Sequence, residues 1–279
     1  GNATDNWVKF GKNASNQDLY WRIIRTNADG GVRLLYHGTS TTATDAVINT
    51  GTAFNETSSD PMYVGYMYGT SGSPANNRTN TNDSTIKGVI DTWYASNLEA
   101  KGYTKYLSGS AVYCNDRSNP AGGYNTGNTL FYYGTYTRLD TNKTPSYDCA
   151  TTEDKFTADS STGNGKLTYP IALMTADEVS FAGGVWNTNA PTWYYYNSAN
   201  GSSTGSTWWW LLSPRDWYGT GAYMFVVGGS SNPGHLNNGG IYGTHGVRPA
   251  LSLKSCVKYS SGDGSASTPY TIKETTSGC

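Results

Sequence analysis

The sequence predicts an α+β protein, mostly antiparallel β-structure with two flanking helices and long loops. The prediction depends on a β-hairpin signal near the N-terminus, two capped helical segments and an unusual composition. The chain has 279 residues, among them 23 Tyr and 9 Trp, and only 14% are charged, against about 25% in an ordinary soluble domain. Aromatic rings that carry a polar group suit half-buried β-structure and binding faces. No repeat or sharp change in composition divides the chain, so we expect one domain over residues 1–279.

The N-terminal part predicts a strand and a hairpin. Residues 6–11 alternate and end at a glycine, which is typical of a strand. Residues 19–25 and 32–36 are apolar, β-branched runs on either side of an Asp29-Gly30 turn, which predicts a hairpin. We expect its solvated face to carry three arginines, Arg22, Arg25 and Arg33.

The middle of the chain alternates strands with two helices. We expect strands over residues 62–69, 107–114 and 166–174. Apolar residues at helical spacing predict a helix over residues 84–100, with Ser84 or Asp83 as its cap. Residues 175–182 form a second, shorter helix, which begins with a Thr-x-x-Glu capping box and stops at a glycine pair.

Four cysteines are too few for a disulfide-built miniprotein and lack the close pairs of a zinc site. We expect two disulfides and an oxidising compartment. Of the three pairings, we prefer Cys114–Cys149 and Cys256–Cys279, because each closes a turn-rich segment. The second bond would fix residues 254–279 as a tail.

The sequence contains few of the motifs that enzymes use. The three histidines, His37, His235 and His245, lie at no metal-ligand spacing, and no nucleophile elbow, phosphate loop or dinucleotide fingerprint occurs. We therefore predict no enzyme activity, cofactor or metal. A net charge of −1 without basic runs argues against nucleic acid as a partner. No apolar segment is long enough to span a membrane, and we expect an ectodomain whose anchor or signal precedes Gly1.

The stretch over residues 208–253 suggests a binding surface. Its two ends, residues 208–212 and 247–253, are apolar and compatible with strands, whereas Gly, Asn, Ser, Tyr, His and Thr dominate its middle. Residues 211–253 contain no Lys, Glu or Gln. Rigid aromatics among small polar residues are also typical of antibody loops. A set of glycine-rich turns without a ligand is the alternative.

Residues 210–214 form a Trp-x-Leu-Ser-Pro motif, residues 222–227 alternate as in a strand, and residues 246–253 form a closing run. In these features the chain resembles the variable proteins of diversity-generating retroelements and related bacterial and phage surface domains. The resemblance extends upstream to residues 20–25 and 165–184. It implies a C-type lectin fold, with residues 207–253 as a variable ligand-binding region.

In that family, adenines of Asn codons are randomised, which cannot produce Lys, Glu, Gln, Met or Trp. The middle of the segment fits this alphabet except at Trp217 and Met224, which would be fixed frame positions. The resemblance therefore implies the following ligand-facing residues: Arg215, Asp216, Tyr218, Thr220, Tyr223, Ser230, Ser231, Asn232, His235, Asn237, Asn238, Tyr242, Thr244 and His245.

From these observations we expect a receptor or adhesin that binds a protein or glycan non-covalently at a cell, virion or extracellular surface. The calcium-ligating Glu-Pro-Asn motif of sugar-binding lectins does not occur in the sequence. A structural subunit of a pilus, cell surface or virion is the alternative, in which case the chain would attach to a larger assembly. An oxidase of the formylglycine-generating type, which shares this fold class, is a third hypothesis and would need reactive cysteines.

Overall fold

The computed structural model describes residues 5–279 apart from 45, 192 and 196–205. Strands hold 31% of the residues and helices 17%, so the molecule is mostly β. In chain order the strands are β1 Trp7–Lys12, β2 Asp18–Thr26, β3 Val32–Gly38, β4 Asn49–Ala53, β5 Met67–Tyr68, β6 Asn82–Asp83, β7 Tyr113–Cys114, β8 Phe131–Tyr132, β9 Lys155–Phe156, β10 Ile171–Leu173, β11 Val185–Trp186, β12 Trp209–Tyr218, β13 Gly221–Val227, β14 His235–Gly240, β15 Thr244–Val247, β16 Pro249–Leu253, β17 Tyr259–Ser261 and β18 Tyr270–Ile272. The α-helices are α1 Pro74–Asn77, α2 Thr85–Tyr94, α3 Gly134–Tyr136 and α4 Ala176–Phe181. Turns of 3₁₀ helix lie at Pro61–Val64, Tyr103–Tyr106 and Thr152–Asp154, and π-helical turns at Ala95–Glu99 and Thr137–Asn142.

The first sheet joins the two ends of the chain. Its strand order is β10-β16-β3-β2-β1-β18-β17, and β1 pairs in parallel with β18 near the C-terminus. The predicted hairpin is confirmed, because β2 and β3 pair antiparallel with Ile23 opposite Leu34. Its turn is closed by Asp29, whose carboxylate accepts from the Gly31 backbone N–H at 2.8 Å. Gly30 has a φ of 79°, which favours glycine.

The second sheet contains most of the segment over residues 208–253. Its strand order is β11-β14-β13-β12-β15-β4, with β8 also paired to β12. The strand predicted at residues 222–227 is confirmed as β13, which pairs with β12 on one side and β14 on the other. The closing run at residues 249–253 crosses to the first sheet as β16. The chain thus passes directly from the second sheet, at β15, into the first sheet, at β16.

Both predicted helices are confirmed, with the caps that the sequence indicates. The Ser84 hydroxyl accepts from the N–H of Lys87 at the start of α2, which continues as the π-turn Ala95–Glu99. Thr175 and Glu178 form the reciprocal capping box of α4. Local hydrogen bonds of this kind depend on residues three apart, and therefore the sequence predicts them well.

Two hydrophobic clusters lie on opposite sides of the second sheet. The larger cluster packs Trp21, Trp210 and Met224 against α2. The smaller cluster packs Trp209 and Phe225 against α4 and against Ala190, Trp193 and Tyr195. Because neighbouring Trp209 and Trp210 enter different clusters, the second sheet is covered on both sides where these strands cross.

The prediction that the hairpin arginines are solvated is wrong. Arg22 and Arg33 are buried, at 3% and 1% exposure, and Arg25 is half-buried. Arg22 donates to the Asn6 side chain at 2.5 Å, and Arg33 donates to the carbonyls of Val112 and Leu173. Both faces of this hairpin are covered, so its polar residues are satisfied inside the protein rather than by water.

Three predicted strands are shorter than expected. Residues 62–69 begin with the 3₁₀ turn Pro61–Val64, because Asp60 caps the Met62 N–H and Pro61 fixes a helical φ. Only Met67–Tyr68 of that run is a strand. Residues 107–114 pair only at Tyr113–Cys114, apart from a bridge at Leu107, and residues 166–174 only at Ile171–Leu173.

Both preferred disulfides are present. Cys114 is bonded to Cys149 and Cys256 to Cys279. The second bond closes the tail whose strand β18 pairs with β1. Within the described part of the chain, no helix combines the length and the apolar character that crossing a membrane requires.

Candidate functional site

An extra residue in β12 shapes the candidate site. Pro214 lies opposite Met224 on β13, and Asp216 lies opposite Tyr223, which leaves Arg215 without an opposing residue. This is a β-bulge, and bulges often occur where a strand redirects side chains beside a site. Adjacent strand residues normally face opposite sides of a sheet. Here Arg215 and Asp216 face the same side, and the Arg215 Nη1 lies 2.5 Å from Asp216 Oδ2.

Three aromatic rings surround the Arg215 guanidinium, an arrangement that we name the Arg215 cage. The guanidinium carbon lies 4.4 Å from the ring centroid of Trp186, 4.8 Å from that of Tyr136 and 5.9 Å from that of Tyr132. A cation within about 6 Å of an aromatic face is attracted by the ring quadrupole. Asp216 closes the cage beside the guanidinium.

The walls of the cage are held by separate elements. Strand β8 places Tyr132 opposite Asp216, and the Tyr132 ring stacks on Tyr136 with centroids 3.8 Å apart. Trp186 comes from β11, and its ring meets Phe225 edge-on at 5.7 Å. Because each ring is fixed by strand pairing or by ring packing, the cage is preorganised.

The ion pair in the cage is incompletely hydrogen-bonded. Asp216 is 4% exposed, and within the described residues its Oδ1 and the Arg215 Nε are buried without a hydrogen-bond partner. Burial raises the pKa of Asp216 to about 6, and the attraction of Arg215 offsets only part of this effect. A carboxylate that is buried but only half satisfied is costly to keep charged.

Tyrosines extend the surface on the same side of the sheet. Tyr223 lies opposite Gly240, and a Cβ built on Gly240 would come within 3.2 Å of the Tyr242 ring and 3.5 Å of the Tyr223 ring. Tyr218 and Tyr242 are the most open of these rings, at 61% and 63% exposure. Asn238 lies opposite Phe225, on the same side. We call Tyr218, Tyr223, Asn238 and Tyr242 the tyrosine face.

Three further predicted residues lie on the other side of the sheet. Asn237 lies opposite Val226, which belongs to the larger cluster. His235 meets the Trp208 ring at 5.4 Å, and His245 meets the Trp210 ring at 4.6 Å. Burial lowers the pKa of both histidines, so they stay neutral near pH 7.

The remaining predicted residues are at the ends of strands. Thr220 lies in the turn between β12 and β13, Ser230 and Ser231 lie in the loop before β14, and Thr244 begins β15. In the same loop Asn232 donates to the side chain of Asn189 at 3.2 Å. The fourteen predicted residues therefore do not form one surface. The structure brings Arg215, Asp216, Tyr218, Tyr223, Asn238 and Tyr242 to one side of the sheet, whereas Ser231, Asn232 and His235 lie together around Asn189.

The aromatic walls of the cage are not among the residues predicted from the sequence. Tyr132 and Tyr136 belong to a loop-rich stretch, and Trp186 lies in β11, the next element after α4. The local sequence around these residues indicates only that they are aromatic. Their position depends on the pairing of β8 with β12 and of β11 with β14.

Within the described residues, no group of three or more His, Cys, Asp or Glu side chains is arranged to hold a metal ion. Asn115 and Asp116, whose side-chain oxygens are of the type that binds calcium, have structural partners. The Asn115 amide spans the carbonyls of Val64 and Leu212, and Asp116 accepts from the Ser118 N–H and from Arg138.

One family model, described as a domain of unknown function, DUF6273, matches residues 101–255, more than half of the chain. The chain belongs to the DUF6273 family. No curated protein and no solved structure matches it. The DUF6273 match spans β12 to β16, the Arg215 cage and the tyrosine face.

Proposed function

We propose that this DUF6273 chain is a ligand-binding protein of the receptor or adhesin type, which binds its target non-covalently through the tyrosine face and the Arg215 cage. The observation that carries the proposal is the exposure of Tyr218 and Tyr242 beside Tyr223, on a sheet whose opposite side packs on the larger hydrophobic cluster. Large exposed rings on a rigid frame provide contact area at a low cost in conformational entropy.

We assign the chain to the C-type lectin fold and interpret residues 207–253 as a variable region. Burial supports this division. Trp217 and Met224, which lie outside the restricted alphabet, are both fully buried, as frame positions should be. Tyr218 and Tyr223, their direct neighbours along the strands, are open or half-open. Alternation along a strand thus separates frame positions from contact positions. Asp216 is the exception, because its residue type belongs to the restricted alphabet of variable positions and yet the residue is buried.

The two disulfides favour a compartment in which thiols are oxidised, outside the cell or on its surface. The target is a protein or a glycan. Binding does not use calcium, so we expect it to survive a chelator. Complete loss of binding in EDTA would instead favour a calcium-dependent lectin.

A protein and glycan array probed with the purified protein tests the proposal. Exposed aromatic residues at the centre of an interface typically cost about 1–3 kcal/mol when they are truncated. We therefore expect Tyr218→Ala and Tyr242→Ala each to weaken binding to the array target by about tenfold.

The matched control is Tyr259→Ala. Tyr259 is 58% exposed, which is close to the other two tyrosines, but it lies on β17 at the edge of the first sheet. We expect this variant to bind like the wild type. If all three variants retain full binding, the tyrosine face is not the recognition surface, and the alternative of a structural shell protein gains support.

A further inference from the structure

The Arg215 cage has the composition of a cation site. It places three aromatic rings around the guanidinium, of which Tyr132 and Tyr136 stack on each other, and a buried carboxylate beside them. Aromatic cages of this kind recognise cationic ligands, since the ring faces are negative and need no counter-ion. In this chain the occupant of the cage is a side chain of the protein itself.

The occupant fits its carboxylate poorly. A guanidinium and a carboxylate pair best through two parallel N–H···O bonds. Arg215 and Asp216 are neighbours in the chain, and only Nη1 to Oδ2 is bonded. The Asp216 Oδ1 and the Arg215 Nε both stay buried without a partner among the described residues. The short tether between adjacent residues explains why the two groups do not align in parallel.

A guanidinium from outside has no such tether. It can stack on the ring of Trp186, beside Tyr136 whose plane lies at 81° to that ring, and present two N–H groups to both oxygens of Asp216. Arginine suits this geometry better than lysine, because its planar guanidinium both stacks on rings and forms the paired hydrogen bonds. The Arg215 side chain retains 13% exposure, so one of its edges already meets solvent.

We propose that the Arg215 cage is a receptor site for an arginine side chain of a protein ligand, and that Arg215 is the internal side chain which this ligand displaces. The inference rests on the proposed ligand-binding function and narrows its target to a protein that presents arginine. The rings of Tyr223 and Tyr242 lie on the same side of the sheet and would contact the residues around that arginine.

Methylguanidinium is a suitable probe, with binding followed by the NMR shifts of the Trp186 indole. Removing the competing side chain in Arg215→Ala should tighten binding of the probe by at least about tenfold relative to the wild type. Methylammonium should bind Arg215→Ala more weakly than methylguanidinium. In the double variant Arg215→Ala/Asp216→Asn, the gain should be lost, because the carboxylate is gone.

Two further variants complete the test. Arg215→Lys keeps a cation in the cage and should bind the probe no better than the wild type. Arg25→Ala is the matched control, since Arg25 lies over the single ring of Tyr147 and beside Glu178, outside the cage. It should leave binding of the probe unchanged. Circular dichroism spectra and thermal melts identify any variant that does not fold.

Equal affinity of wild type and Arg215→Ala for methylguanidinium would overturn the proposal. So would a gain that persists in the double variant, because that gain would not involve Asp216. The array described above separates this failure from failure of the proposed function. One combined outcome is that the array target depends on Tyr218 and Tyr242 even though Arg215→Ala binds methylguanidinium no more tightly than the wild type. That combination would keep the tyrosine face as the binding surface and reject only its specificity for arginine.

Discussion

At the scale of single residues, the bulge at Arg215 has the largest effect on the site. One unpaired residue in β12 turns two neighbouring side chains to the same side of the sheet, where regular alternation would separate them. The same shift buries Asp216 against Tyr132 on β8 and Tyr223 on β13. The ion pair therefore results from the backbone irregularity.

The buried carboxylate of Asp216 should make stability depend on pH. Its pKa of about 6 in the folded state lies above the ordinary value of 3.8, so between these values the folded state binds more protons than the unfolded state. Stability from this group is then present at low pH and is lost as the pH rises from about 4 to about 6. The groups that face it are Arg215, Tyr132, Tyr136 and Tyr223, and burial raises the pKa of the last two, so neither ionises in this range.

Urea denaturation of the wild type and of Asp216→Asn at several pH values measures the effect. On going from about pH 7.5 to about pH 4.5, the free energy of unfolding of the wild type should rise by about 1–3 kcal/mol relative to the variant. Taking the difference between the two proteins removes the contribution of other titrating groups. A difference that stays constant with pH would show that Asp216 titrates normally.

At the scale of elements, α4 is fixed to the sheet by one carboxylate. Glu178 Oε2 accepts from the backbone N–H of Thr175, which completes the capping box. Its Oε1 lies 2.7 Å from the Arg33 Nε and 3.0 Å from the Arg25 Nε. Glu178 is 3% exposed and Arg33 is 1% exposed. The same side chain thus caps a helix and neutralises a buried cation.

Two variants separate these roles. Glu178→Gln keeps an oxygen for the cap but leaves Arg33 without its charge partner, and breaking a buried pair in this way costs about 3–5 kcal/mol. Thr175→Ala removes the other half of the box and leaves the ion pair, at a cost of about 1 kcal/mol. Chemical denaturation should show the larger loss for Glu178→Gln. Equal losses would indicate that the two arginine contacts contribute little to stability.

The elements also show what the sequence could and could not predict. The caps at Ser84 and Thr175 and the Asp29-Gly30 turn depend on residues two or three apart, and all three are confirmed. The burial of Arg22 and Arg33 was not predictable, because it depends on what covers the hairpin. Hydrophobic alternation indicates that a face is apolar, but it does not show that a polar residue has found partners inside.

The candidate site, too, could be predicted from the sequence only in part. The rigid ends of the segment and the exposed tyrosines follow from strand alternation, which the sequence contains. The cage does not, because Tyr132, Trp186 and Arg215 meet only through pairing of β8 with β12 and β11 with β14. The split of the predicted residues between two faces follows from regular alternation on β14, where the neighbours Asn237 and Asn238 face opposite sides.

At the scale of the whole molecule, distant segments are joined by sheet pairing and by the two disulfides. The bond Cys114–Cys149 closes a separation of 35 residues and Cys256–Cys279 closes one of 23 residues. On the loop-entropy model both contribute about 3–4 kcal/mol, so global stability does not distinguish them. The positions of the two disulfides distinguish them, because Cys114–Cys149 closes the segment before β9 and Cys256–Cys279 closes the tail.

Limited trypsin digestion of the two double serine variants should therefore give different fragments. In Cys114→Ser/Cys149→Ser we expect early cleavage after Lys143, whose side chain is 67% exposed. The ion pairs of Arg138 with Asp116 and Asp177 hold the start of this segment, so the opening should stay local.

In Cys256→Ser/Cys279→Ser, cleavage should occur instead after Lys258 and Lys273, in the tail. Strand β18 there pairs with β1 through only a few residues, so the freed end should open without unfolding the sheets. Mass spectrometry of the first fragments distinguishes the two patterns, and the wild type with both bonds intact is the reference. If both variants gave the same first fragments, loss of either bond would open the whole fold. Local opening would instead leave one segment protected from trypsin, namely the segment that the remaining disulfide closes.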